Sequence, residues 1–339
     1  MLNNDDRYRP FGLVTDMLAT PEIIRQFDVD QADDTAGEIA EVGRLLMTGE
    51  GSSRIFPAKN AMTHARRHGY SLQLHTEAGM QAQEYDLNGW AVFALSNSGR
   101  TAEVIRLFTA LKSAGHFPRY SLTAFADTTL QALADRGYVL SCGAEGAVAA
   151  TKSVMEQALF YRALLEAVEG KKQLGTHLAA LSDSVQQALT MPIDAEIVSR
   201  IAAAKTIYWA GSHDGVAEEL TLKTNEITRK RADYLEGTYA VHGIEEVMSA
   251  DEVVIWVDPY EVSEEKIRET LVDGVGMPVI AVSSRPTIFP TIAIPEGGDL
   301  AGYIQMAAGW NLLVEVGLQL GIDLDQPQRA RKVGNEFLD

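Results

Sequence analysis

Apolar runs of strand length alternate with helix-period stretches along nearly the whole chain, and this alternation limits the fold more than any other feature. RLLMTGEG (44–51), AVFALS (91–96), YSLTAFAD (120–127) and YVLSC (138–142) read as strands. Helical periods lie between them, in NAMTHARRHG (60–69) and TAEVIRLFTALKSAG (101–115). A long helix is expected from about 149 to 169, with Val154, Leu159, Leu164 and Leu165 on one buried face. After the polar connection EGKKQLG (169–175), a helical run over 177–204 opens a second cycle. Its strands are KTIYWAGS (205–212), EVVIWVDP (252–259) and PVIAVSS (278–284), with TIAIP (291–295) as a short edge strand. An apolar helix over 300–320 closes it. Strands alternating with helices in this way build parallel α/β sheets. The halves repeat weakly: LLMTGEGSS opens the first as TIYWAGSHD opens the second, and AVFALSNSG matches VVIWVDPYE.

The chain has 339 residues, enough for two domains, and 46% of them are hydrophobic. A net charge of −18 opposes nucleic acid and anionic lipid as partners. The lone Cys142 allows neither an internal disulfide nor a thiolate zinc cluster, which fits a reducing compartment. The N-terminus, MLNNDDRYRP, has acidic residues where a signal peptide has a basic region and an apolar core. Gln305, Asn311 and Glu315 mark the 300–320 helix as buried in protein rather than membrane-spanning. A cytoplasmic protein is expected.

Two turns carry the chemistry. SNSGRT (96–101) follows a strand and opens a helix. A helix start presents unpaired N–H groups and the positive end of the dipole. Ser96, Ser98 and Thr101 add hydroxyl donors, and Gly99 permits close backbone approach, so the turn suits an anion such as phosphate. The plain alternative is a helix N-cap by Ser98 or Thr101 that binds nothing. TGEGSSR (48–54) is a second such turn, and strand ends on one edge of a parallel sheet converge. Neither turn is a dinucleotide fingerprint, because Arg54 stands where a third glycine belongs, and no G-K-[ST] follows to make a P-loop. The basic run RKR (229–231) reads as a solvated helix face.

GEGSS, SNSGRT and GAEGAVAATKS (143–153), in that order, resemble the motifs of sugar isomerase (SIS) domains. From about residue 35 to 335 the chain resembles the isomerase half of glucosamine-6-phosphate synthases, which has two such domains. LTLKTNEITRKRADYLEGTYAVHGIEE (220–246) resembles their catalytic segment. There a lysine lies three residues before a glutamate, and a His-Gly sixteen after it; here these are Lys223, Glu226, His242 and Gly243. In the tail DQPQRARKV (325–333), Lys332 stands seven residues after Asp325, as in the family. The chain departs from the family at Val241 (lysine there), Ile244 (proline), Glu50 (cysteine) and Ala150 (serine), differences that bear on substrate more than on reaction type. Leu2 stands where the synthases carry a nucleophilic cysteine after the initiator Met, and no glutaminase domain is expected. Stand-alone SIS-type glucosamine-6-phosphate deaminases and fructosamine-6-phosphate deglycases are the nearer resemblance.

The resemblance implies two tandem SIS domains, over 30–170 and 190–339, each a parallel five-stranded sheet between helices in a flavodoxin-like, three-layer arrangement. It implies that Gly51, Ser52, Ser53, Ser96, Asn97, Ser98, Thr101, Glu145, Val148, Ala150 and Lys223 hold a six-carbon sugar phosphate. Moving a proton between C1 and C2 needs a base that can return it, and a carboxylate, Glu226, is the candidate. One helical turn from Lys223, it reads, taken alone, as a surface ion pair. Opening the sugar ring needs a group that titrates near neutrality, and His242 is the histidine whose spacing matches. In the family it comes from the neighbouring subunit, so the resemblance implies a homodimer with shared active sites. Lys332 is placed to form a Schiff base with an open ketose, which requires a desolvated, deprotonated amine. Glu145 alone also reads as a first-turn glutamate favoured by the helix dipole. No metal or cofactor is expected. The reaction named first is isomerising deamination of glucosamine 6-phosphate. The alternatives are a fructosamine-6-phosphate deglycase and a non-catalytic sugar-phosphate sensor.

Overall fold

The computed structural model describes residues 5–337; the first four residues of the N-terminal stretch read above lie outside the described residues. In chain order the elements are α1 (Gly12–Arg25), α2 (Asp33–Val42), β1 (Arg44–Gly49), α3 (Ile55–Arg67), β2 (Gln73–Ala78), α4 (Gly79–Ala82), β3 (Ala91–Leu95) and α5 (Ala102–Ser113). Then follow β4 (Arg119–Thr123), α6 (Thr129–Leu133), β5 (Arg136–Val139), α7 (Lys152–Val168), α8 (Leu174–Thr190) and α9 (Ala195–Ala203). The last are β6 (Thr206–Gly211), α10 (Val216–Thr228), β7 (Arg231–Glu236), β8 (Val253–Val257), α11 (Glu264–Ile267), β9 (Val279–Ser283), β10 (Thr291–Ala293) and α12 (Ala301–Gln319).

They form two parallel five-stranded sheets, ordered β2-β1-β3-β4-β5 and β10-β9-β8-β6-β7. Counted from β7, the second sheet repeats the order of the first, 2-1-3-4-5, the doubly wound pattern whose switch point lies beside each half's first strand. This is the expected α/β architecture. The chain divides into two compact units. One holds the first sheet, from Glu22–Glu145, Ala150–Ala179 and the chain from Arg331 on; the other holds the second sheet, from residues up to Pro21, Gly146–Ala149 and Ala180–Ala330.

Central strands β3, β4, β8 and β9 are buried along their length because helices cover both faces. In the first unit Leu46, Val92 and Ala94 pack with Val104, Leu107 and Phe108 of α5. In the second, Tyr208, Val254, Trp256 and Ala281 pack with Ile267 and Leu271. Two strands escaped the sequence reading. QLHTEA (β2) and RADYLE (β7) are half-exposed edge strands with few apolar residues.

Four expectations need correction. The run over 177–204 is two helices, since Pro192 cannot continue α8 and Asp194 caps α9 by accepting Glu196 N–H at 2.7 Å. The strand expected at 138–142 ends at Val139, because Glu156 draws the N–H groups of Ser141 (2.7 Å) and Cys142 (2.9 Å) out of the ladder. Helix α7 is buried on every side from Ser153 to Glu166, not on one face. The RKR run is no helix face: Arg229 ends α10 in a left-handed conformation (φ 59°), and Arg231 begins β7. Lys230, between them, donates to Ala202 O at 2.8 Å.

Helix α12 is buried through Val314, as expected. Asn311 is fully buried and donates to Ala188 O (3.0 Å) and Met191 O (2.8 Å). Among the described residues no helix is long and apolar enough to cross a membrane.

Candidate active site

The hydroxyl turn leaves β3 at the switch point of the first sheet. Ser96 is buried, and its hydroxyl meets that of Thr101 at 2.9 Å and accepts Gly99 N–H at 3.1 Å. Ser98 accepts Arg100 N–H at 3.2 Å. Gly99 has φ +64°, and a Cβ there would lie 2.4 Å from the Thr128 side chain, so the turn requires glycine. Thr101 sits at the N-cap of α5, yet no side chain caps that helix. The hydroxyls therefore tie the turn to itself, unlike the plain N-cap alternative. Asn97 Nδ2 is buried there without a partner among the described residues.

The second turn lies alongside. A Cβ on Gly49 would come within 2.9 Å of both Leu95 O and Ser53 O, so the ends of β1 and β3 are in close backbone contact. Gly51–Ser53 form one turn of 3₁₀ helix. Gly51, Ser52, Ser53, Ser96, Asn97, Ser98 and Thr101 are thus gathered at adjacent strand ends. Glu50 turns its carboxylate to the start of α4, where it accepts Gly79 N–H at 2.8 Å. Burial, with help from Glu103 and Glu77, raises its pKa above the ordinary 4.5.

At the start of α7 Glu145 accepts the N–H groups of Thr151 and Ser153, both at 2.9 Å, and the Ser153 hydroxyl at 2.6 Å. Its carboxylate thus serves the positive end of the helix. Ala150, half-buried, lies beside it. The tail reaches the same unit. Ala102 N–H donates to Asn335 O and Phe337 N–H to Arg100 O, each at 2.9 Å, and Arg100 pairs with Glu336 at 2.7 Å. Lys332 is exposed three residues before this pairing.

The second-sheet unit holds Lys223, Glu226, His242 and Val148. Lys223 is fully buried on α10, 2.5 Å from Glu226 Oε2 and 3.4 Å from Glu219 Oε1. The Glu219 side chain is fully buried and that of Glu226 is 23% exposed, so this is not a surface pair. Glu219 was missed in the sequence, although its spacing of four residues from Lys223 was visible in EELTLKTNE. His242 is exposed after a short 3₁₀ turn, its Nε2 3.2 Å from Thr238 Oγ1. No hydrogen bond or ion pair joins it to Glu226 among the described residues. Val148 N–H donates to Asp325 O at 3.3 Å. Asp325, the aspartate of D-Q-P, accepts Gly12 N–H at 2.7 Å and Leu13 N–H at 2.8 Å at the start of α1.

Known proteins resemble the chain in sequence and in fold. Residues 38–167 match the SIS domain family. The glutamine–fructose-6-phosphate aminotransferase (isomerizing) of Haemophilus influenzae is 24% identical over 262 residues, which is 71% of this chain. The match spans 43% of that protein, so the chain corresponds to less than half of its curated relative. The C-terminal domain of glucosamine-fructose-6-phosphate aminotransferase from Francisella tularensis has the same fold, with TM-score 0.75 at 18% identity over 94% of this chain and 98% of that one. A glucosamine-6-phosphate deaminase from Thermotoga maritima also shares it, with TM-score 0.76 at 16% identity over 95% and 99%. The residues that match the SIS domain family, 38–167, span the whole first sheet, β1 to β5.

Proposed function

We propose that the protein is a phosphosugar isomerase-type enzyme that converts glucosamine 6-phosphate to fructose 6-phosphate and ammonia. The observation that carries this reading is Glu226, a partly exposed carboxylate held 2.5 Å from the fully buried ammonium of Lys223. A surface pair would leave the lysine in water. The paired hydroxyl turns supply the phosphate end, with donors at the start of α5. Similarity to the aminotransferase supports the sugar-phosphate class.

In this reading Ser52, Ser53, Ser96, Ser98 and Thr101 hold the phosphate, and His242 opens the ring. Glu226 takes the proton from C2 of the open aldose and returns it to C1. The resulting imine at C2 reacts with water to give the ketone and ammonia. Lys332 engages the open ketose. The protein is a cytoplasmic homodimer, with His242 reaching the neighbouring subunit's site.

Incubation with glucosamine 6-phosphate and, separately, a fructosamine 6-phosphate tests this. Ammonia release from the first supports the reading. Amine release from the second marks a deglycase, and turnover of neither marks a sensor. Glu226→Gln is expected to abolish ammonia release while leaving inorganic phosphate binding intact; full turnover in that variant would remove Glu226 as the base.

A further inference from the structure

Gln157 lies in the middle of α7 with no exposed surface. Its Nε2 is 3.5 Å from Ser53 Oγ, and its Oε1 is buried without a partner among the described residues. A buried carbonyl left open is destabilising, and a leucine fills similar space without that cost. Packing therefore does not account for an amide at this position, whereas its one side-chain hydrogen bond among the described residues, to Ser53 of the GSS turn, does.

A serine hydroxyl has one proton to give and lone pairs to receive. With Gln157 Nε2 donating to Ser53 Oγ, a lone pair is occupied and the Ser53 proton is directed away from α7. We propose that Gln157 is a positioning residue: it aims the Ser53 hydroxyl proton at a phosphomonoester bound between the two hydroxyl turns. The proposal rests on the phosphate site of the reading above. It also explains why glutamine and not glutamate stands there. A carboxylate would accept the Ser53 proton and add negative charge behind the anion.

Calorimetric titration of the full chain with inorganic phosphate tests it, using Ser53→Ala, Gln157→Leu and the double variant. Each single variant is expected to bind roughly tenfold more weakly, and the double variant no more weakly than Ser53→Ala alone. Such coupling shows that Gln157 acts through Ser53, which a purely structural role would not produce. Losses that multiply in the double variant overturn the proposal. Gln157→Glu, which keeps the shape, stands in if Gln157→Leu does not fold; it is expected to lose at least as much affinity at neutral pH, and wild-type affinity there also overturns the proposal. If the wild type binds no phosphate, the phosphate reading itself falls. Wild-type binding with independent losses removes only the role of Gln157.

Discussion

Lys223 sets the energetics at the scale of single residues. An ammonium without exposed surface is tolerable only beside carboxylates, and Glu219 and Glu226 supply them. Lys223→Met is therefore expected to destabilise the fold by about 3–5 kcal/mol, because Glu219 would remain buried without its counter-charge. Urea denaturation measures this, and adding Glu219→Gln should recover part of the loss. The pair was legible in the sequence, but its burial was not. A lysine three residues before a glutamate looks the same on a solvated face as on a packed one. Glu50 gives a second prediction. Burial raises its pKa, so the folded state holds its proton more tightly than the unfolded chain does. Stability from this group is fully kept below the ordinary value of 4.5 and falls as pH rises through the raised one. Glu50→Gln, which can still accept Gly79 N–H, should raise the urea midpoint at neutral pH and leave it unchanged below 4.5.

At the scale of elements, α7 combines the burial of a core helix with the polar residues of a surface one. Arg162 and Glu166 pair at 2.7 Å with almost no exposed surface, and Glu166 also accepts Gln173 N–H (2.7 Å) and Leu174 N–H (2.8 Å) at the start of α8. One carboxylate thus neutralises Arg162 and caps α8. Glu166→Ala should cost about 3–5 kcal/mol, since it strands the Arg162 charge and uncaps α8 together. A chemical denaturation midpoint reads this directly. The central strands were legible because helices bury both of their faces, leaving continuous apolar runs. The edge strands β2 and β7 were not, since a half-exposed strand needs few apolar residues. The break between α8 and α9 was available from Pro192. The early end of β5 was not, because its cause, Glu156, lies in a different element.

At the scale of the whole molecule, the repeated strand order shows how far a sequence pattern can reach. AVFALS and EVVIWVDP predicted equivalent strands, and they occupy the third place in chain order within each sheet. The hydroxyl-rich turn belongs to the unit of the first sheet, while the buried lysine and its carboxylates belong to that of the second. The proposed shared site gives a test at this scale. Glu226→Gln and His242→Ala homodimers should each be inactive. Mixing them under subunit exchange should restore ammonia release, because one hybrid site then holds both native residues. Activity that stays absent in verified heterodimers would place His242 in its own subunit's site.

The tail pairing also constrains how the protein is made. Asn335 hydrogen-bonds Glu103, 232 residues earlier, and its carbonyl takes the first N–H of α5. A ribosome makes these partners at widely separated times. The β3–α5 corner can fold as soon as its own sheet emerges, but its last backbone partner is missing until translation has passed Phe337. A nascent chain arrested before that point would carry the hydroxyl turn without the tail residues that bridge to Thr101.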